Sequence, residues 1–170
     1  MTTLDDLSWR CARLHELGAL ELQRIHVARQ QVFVVEQACA FQDADAADER
    51  SAHLCGWARD GALWAYARLV DPGVKYAEPS IGRVLTTAAA RGRGLGRELL
   101  RRAIAEADAR FPGQGLRISA QHRLERFYEQ AEVRRAIAEA EARSERAMHP
   151  KPPRQRFATP SRPMALGFAT

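Results

Sequence analysis

The residues with the clearest chemical promise form one run: Ile81-Gly82-Arg83-Val84-Leu85-Thr86 and, shortly after, Arg91-Gly92-Arg93-Gly94-Leu95-Gly96-Arg97. The first block reads as a strand, the second as a glycine-rich turn that opens a helix. The leading turn of a helix carries N–H groups without carbonyl partners and a partial positive charge, so it attracts anions. Glycine lets the backbone approach a phosphate closely and take positive φ. Arg91 and Arg93 add charge beside those amides. The chemistry on offer is capture of a phosphate-bearing ligand, and two nucleotide readings fail. A Walker loop needs Gly-Lys followed by Ser or Thr, which this chain lacks. A dinucleotide fingerprint needs G-x-G-x-x-G and an acidic residue closing the next strand. Here the spacing is G-x-G-x-G, and the next strand ends in Gln121.

The elements that must position this run are legible as periodicities. Residues 8–14 alternate as a half-buried strand does. Residues 17–33 read as a helix with Leu17, Leu20, Arg24 and Val27 on one side, and Val32-Phe33-Val34-Val35 is an apolar patch that docks it. An acidic, Ala-rich loop follows with Asp43, Asp45, Asp48 and Glu49. Strands at 53–59 and 63–70 are joined by Asp60-Gly61, a hairpin signal, and Asp71-Pro72-Gly73 closes the second. A strand at 80–86, a helix at 94–110 with Leu99, Leu100, Ala103 and Ile104 as its apolar face, a strand at 116–120 and a helix from Gln121 complete the order β-α-β-β-β-α-β-α. Strands interleaved with helices predict an α/β (α+β) fold with a mixed central sheet flanked by helices.

Composition sets the limits. The 170 residues suit one domain with a real core. The net charge of +5 is unevenly spread. Residues 1–132 hold 18 basic and 18 acidic side chains, and residues 133–170 hold 8 and 3. A neutral body argues against nucleic acid as partner. No apolar run reaches the roughly 20 residues that span a bilayer, and the first eight residues lack the positive n-region of a signal peptide. The expected location is the cytoplasm, with no membrane partner. Cys11, Cys39 and Cys55 have no paired or metal-ligand spacing, so they read as small hydrophobes, and no metal is expected.

The spacing Arg91-x-x-Gly94-x-Gly96, set between a strand and an amphipathic helix, resembles the diphosphate-binding motif of GNAT acetyltransferases. The resemblance widens to the ElaA-like subfamily. It takes in Arg29-Gln30-Gln31-Val32-Phe33-Val34-Val35-Glu36-Gln37, Asp45, Asp48, His53-Leu54, Ala65-Tyr66-Ala67-Arg68-Leu69, the strand at 80–84 and Ala120-Gln121, in order from about residue 7 to residue 130. It implies an N-acyltransferase that uses acetyl-CoA as co-substrate on a small-molecule or peptide amine, with a homodimer as a possible assembly. The pantetheine arm would lie between the strands at 81–86 and 116–120 near Gln121. The thioester carbonyl would lie at backbone amides of Val84, Leu85 and Thr86, and the diphosphate at Arg91 to Arg97. Tyr128, where the family has its Tyr, would protonate the departing thiolate; its other reading is a core aromatic. His53, Glu36 and Glu78 fall in segments expected near the acceptor, so each is a candidate base, with a water chain as the alternative. His53 has the right intrinsic pKa but also suits a structural role, and Glu36 could instead pair with Arg29 or cap a helix. The acidic loop either attracts a cationic amine or is simply solvated. Arg29-x-x-Val32-Phe33 also occurs in acyl-homoserine-lactone synthases of the same fold, although the Arg91–Gly96 spacing counts against them.

The resemblance ends abruptly. GNAT domains follow the Tyr-bearing helix with Gly-Phe and a last pair of strands. This chain instead runs after Gln130 through an Ala/Glu/Arg-rich helical segment at 131–148 into a Pro-rich basic tail at 149–170. The division expected is a GNAT domain at 1–130 followed by those two pieces. The abrupt change points to a shifted reading frame or a rearranged gene, with a non-catalytic acyl-CoA-binding protein as the second functional reading.

Overall fold

The computed structural model describes residues 6–118. Five strands, β1 (Ser8–Arg13), β2 (Ser51–Trp57), β3 (Leu63–Val70), β4 (Ser80–Thr86) and β5 (Arg117–Ile118), lie in that order across one sheet. The first three pairings are antiparallel; β4 and β5 run parallel, joining Ser80 to Arg117 and Ile81 to Ile118. A parallel step needs a crossover, supplied here by α2 (Leu95–Arg110). The sheet is mixed, as the alternation of elements predicts. Helix α1 (Ala19–Arg29) covers the opposite face, so the central strands β2 and β3 are buried on both sides and every residue of β2 is inside.

Two apolar layers result. Leu54, Leu69, Ile81, Leu99, Leu100, Ala103 and Ile104 pack between sheet and α2, on the face of α2 that its periodicity marks. Ile25, Val32, Cys55, Leu63, Tyr66 and Leu85 pack between sheet and α1. The hairpin is one residue longer than the two-residue turn that Asp60-Gly61 alone indicates. Strand β2 stops at Trp57, the Ala58 N–H bonds the Ala62 carbonyl at 2.9 Å, and Gly61 takes φ +79. That is a three-residue loop whose last position is left-handed, where glycine costs least.

Helix α1 departs from expectation in two ways. Its buried face is Ile25, Ala28, Arg29 and Val32, while Leu20 and Val27 are 72% and 57% exposed. The true stripe keeps helical spacing but runs through an arginine, which hydrophobicity alone excludes. The helix also continues past Phe33 as a π-helical run, Gln30–Glu36. The wider turn brings Val32 and Phe33 inward and leaves Val35 in solvent, so the four-residue patch docks only through its first half.

Leu99 is fully buried where α2 meets the sheet. Leu99→Ala should lower unfolding stability by about 2–5 kcal/mol, read from urea denaturation; a loss under about 1 kcal/mol would show that this layer is not close-packed.

Candidate functional site

Strand β4 is irregular in the middle. Tyr66 stands opposite Leu85 and Arg68 opposite Gly82, so Ala67 faces two residues, Arg83 and Val84. This β-bulge places Arg83 at φ +52, a region costing a non-glycine residue of order 1–2 kcal/mol. The bulge changes the strand's parity. Ile81 and Val84, three apart, both pack on the α2 layer, and Leu85 packs on the α1 layer. Beyond it, the Thr87 N–H donates to the Trp64 carbonyl at 3.0 Å. Alternation along an antiparallel strand then turns the Leu85 amide toward β3 and those of Val84 and Thr86 toward the β5 side.

After Thr86 the chain turns through Ala88–Ala90 and the glycine-rich segment into α2. Gly92 and Gly94 take φ +77 and +76, and a Cβ built on either meets nothing within 4 Å. Glycine is therefore needed for conformation, with open space above the backbone. Gly94 is the N-cap and brings no side chain to it; the Arg97 N–H folds back to the Gly94 carbonyl at 3.1 Å. Among the described residues the Leu95 and Gly96 amides have no backbone acceptor. These groups line a cavity of about 340 Å³ with Thr86, Ala90 and Arg91. Uncapped amides, open glycines and arginines fit a diphosphate.

Arg91 spans two cavities. Its Nε donates to the Thr86 carbonyl at 3.2 Å, and its Nη2 donates to Glu36 Oε2 at 2.6 Å. Glu36 also borders a second, mainly apolar groove of about 660 Å³ between the π-helical run and the β2–β3 hairpin, lined by Val27, Val32, Leu63 and Thr87. Glu36 thus pairs with Arg91, not Arg29. Glu78 accepts from Arg117 Nε at 2.6 Å where β4 and β5 begin.

Behind β4 lies a network that hydrophobic patterning could not reveal. Arg29, 1% exposed, donates from Nε to Asp43 Oδ2 at 2.6 Å and from Nη1 to Asp48 Oδ1 at 2.8 Å. Arg68 donates to the same Asp48 oxygen at 2.8 Å and to Asp45 Oδ1 at 2.7 Å. Arg83 Nε donates to the other Asp43 oxygen at 2.6 Å. Asp43 and Asp48 are buried in ion pairs, which corrects both readings of the acidic loop at those two positions, while Glu49 is exposed. Burial works to raise the Asp48 carboxyl, and the hydrogen bonds and charges of Arg29 and Arg68 overcome it, holding it near 2.

His53 belongs to this network. Its Nε2 lies 3.1 Å from the Asp48 carbonyl, which can only accept, so Nε2 carries the proton and Nδ1 accepts from the Tyr66 hydroxyl at 2.8 Å. At 1% exposure, with both nitrogens engaged, the ring offers nothing to an incoming amine. Burial pushes its pKa below the ordinary value. Cys55 is buried and its thiol pushed up by burial; burial likewise raises Cys11, to about 11. Among the described residues no group of acidic, His and Cys side chains could hold a metal ion, and no helix is long and apolar enough to cross a membrane. Gln121, Tyr128 and the segments at 131–148 and 149–170 lie outside the described residues.

Known proteins resemble this chain in sequence and fold. Residues 12–132 match the Acetyltransferase (GNAT) family. The UPF0039 protein sll0451 of Synechocystis sp. is 42% identical over 123 residues, 72% of this chain and 80% of its own. Protein ElaA of Escherichia coli is 32% identical over 125 residues, 72% of this chain and 81% of its own. The crystal structure of an acyl-CoA N-acyltransferase from Pseudomonas aeruginosa superposes with a TM-score of 0.67 at 40% identity, covering 72% of this chain and 84% of that one. That of E. coli ElaA gives 0.67 at 32%, with the same coverage. The fold is that of the acyl-CoA N-acyltransferases. Within it, the chain belongs to the GNAT acetyltransferase family, and acyl transfer is the chemistry of that family.

The buried histidine makes stability depend on pH. Its folded pKa is depressed, so as pH falls the unfolded chain binds a proton first; stability is complete above about pH 7 and is lost as pH drops through about 6.5. His53→Gln should flatten the fall in stability between pH 7 and pH 5, by up to about 1.4 kcal/mol per pH unit. Equal slopes for the two proteins in urea melts would show that His53 does not titrate with unfolding.

Proposed function

We propose that the protein transfers an acetyl group from acetyl-CoA to a primary amine, on a small molecule or a peptide, by direct attack of the amine on the thioester. The observation that carries this reading is the head of α2. The uncapped amides of Leu95 and Gly96, the left-handed Gly92 and Gly94, and Arg91 and Arg97 line one cavity directly after β4. A diphosphate seated there leads the pantetheine arm back along β4, where the Val84 and Thr86 amides face away from β3. Those N–H groups, fixed before the reaction, would stabilise negative charge developing on the thioester oxygen.

Attack needs a neutral amine and a proton for the leaving thiolate. Of the three candidate bases, His53 is sealed, Glu78 is held by Arg117 where β4 and β5 begin, and Glu36 has its carboxylate on the rim of the groove, which supports Glu36, directly or through water. The resemblance supports Tyr128 as the acid and Gln121 beside the pantetheine. The family's intracellular acyl donor is consistent with a cytoplasmic location.

Acetyl-CoA at about one hundred times its Kd should stabilise the protein by about 2.7 kcal/mol, raising Tm by about 5–10 °C. With a matching amine from a primary-amine panel, it should also release free thiol. Gly94→Val should remove most of the Tm shift, because a β-branched residue cannot hold φ +76 without strain. Stabilisation without thiol release from any amine would favour the non-catalytic binding protein. No stabilisation by acetyl-CoA would refute both readings.

A further inference from the structure

The bulge in β4 poses a question that the cavities do not answer: what keeps Arg83, a non-glycine residue, at φ +52? Such a backbone persists only where its surroundings hold it. One side chain does most of the holding. Asp43 Oδ1 accepts from Arg83 Nε at 2.6 Å, and the Asp43 carbonyl accepts from Arg83 Nη2 at 3.2 Å. The guanidinium also lies over the Phe33 ring, 5.7 Å from its centroid. Asp43 is fixed from behind in the same two-point manner. Its Oδ2 accepts from Arg29 Nε at 2.6 Å and its carbonyl from Arg29 Nη2 at 2.9 Å. One buried residue therefore bridges two guanidiniums, one rooted at the end of α1 and the other at the bulge.

We infer that Asp43 is a positioning residue for acyl transfer: by clamping Arg83 it holds the bulge that turns the Val84 amide toward the thioester. The inference rests on the proposed reaction. It assigns Asp43 no contact with substrate; it acts through Arg83 and the backbone of β4. The diphosphate cradle at Gly92 to Gly96 is a separate segment, so loss of the clamp leaves coenzyme A affinity in place and disturbs only the acyl end. A merely structural Asp43 would give the opposite pattern, weakening the protein without distinguishing acetyl-CoA from coenzyme A.

The test uses the full chain, with coenzyme A and acetyl-CoA as probes and backbone amide NMR as readout. In the wild type both ligands shift the Gly92, Gly94 and Gly96 amides, and acetyl-CoA adds its own shift at Val84 and Thr86. In Asp43→Asn the glycine shifts and the Kd for coenzyme A stay within about threefold, while the acetyl-specific shift is lost; displacement of the acyl end by about 1 Å would slow thiol release on the order of 100-fold. Arg83 supplies the control that does not disturb Arg29. Arg83→Ala, strained and unclamped, loses the acetyl-specific shift, and Arg83→Gly, at ease at φ +52, retains it. In Asp43→Asn combined with Arg83→Gly the shift returns. An acetyl-specific shift that survives in Asp43→Asn, or equal behaviour of the Ala and Gly variants at position 83, overturns the inference. Absence of any glycine shift in the wild type overturns the proposed function instead, and the inference with it.

Discussion

A buried carboxylate must be answered, and in this protein the answer organises everything around the sheet. Arg29, Arg68 and Arg83 meet Asp43, Asp45 and Asp48 in a continuous lattice behind β3 and β4, with most of its members sealed from water. Removing one partner of such a pair leaves a charge stranded in low dielectric, typically a loss of about 3–5 kcal/mol. Mutual satisfaction fixes more than energy. It locks the loop after the π-helical run onto the sheet, anchors the end of α1, and reaches the irregular turn of β4. His53 and Tyr66 close the lattice with neutral hydrogen bonds, so the site stands on a polar foundation inside an otherwise apolar domain.

The division of labour between the two helices follows. The α2 side is ordinary packing, with Leu99, Leu100, Ala103 and Ile104 filling the space against the sheet, and its function sits at its leading turn, where backbone alone suffices. The α1 side mixes apolar contact with the ionic lattice, and its function depends on side chains. Arg91 joins the two, reaching from the glycine-rich segment to Glu36 at the end of the π-helical run. The diphosphate cradle and the apolar groove therefore share a wall built from Thr86, Thr87 and one ion pair.

Much of this was readable from residue order. The glycine-rich turn at the head of an amphipathic helix was legible because its chemistry is local: glycine spacing and the apolar stripe of α2 each lie within a few residues. The order of elements along the chain followed for the same reason, hairpin turns and apolar periodicities being short-range signals. The α1 face was not legible, because a buried arginine counts as polar until its distant carboxylates are placed. The acidic loop was opaque for the mirror reason: Asp43 and Asp48 look like solvent-loving residues in an Ala-rich stretch, and only tertiary pairing takes them inside. His53 could be singled out by type, but its two hydrogen-bond partners, which decide its part, come from the Asp48 backbone and from β3. The bulge left no local trace either, since Gly82-Arg83 reads as plain strand and the extra residue shows only against Ala67.

That extra residue has a consequence for how the gene can vary. Side chains on a strand alternate, so one surplus position interchanges the two faces for every residue after it. Deleting a single codon at the bulge would restore even pairing with β3 and leave Leu85 opposite Tyr66 on the α1 layer, while the same deletion elsewhere in β4 would exchange the faces of the residues beyond it. Substitutions here are matters of degree. Insertions and deletions are matters of parity, and only at the surplus position can one residue be lost without exchanging the two faces.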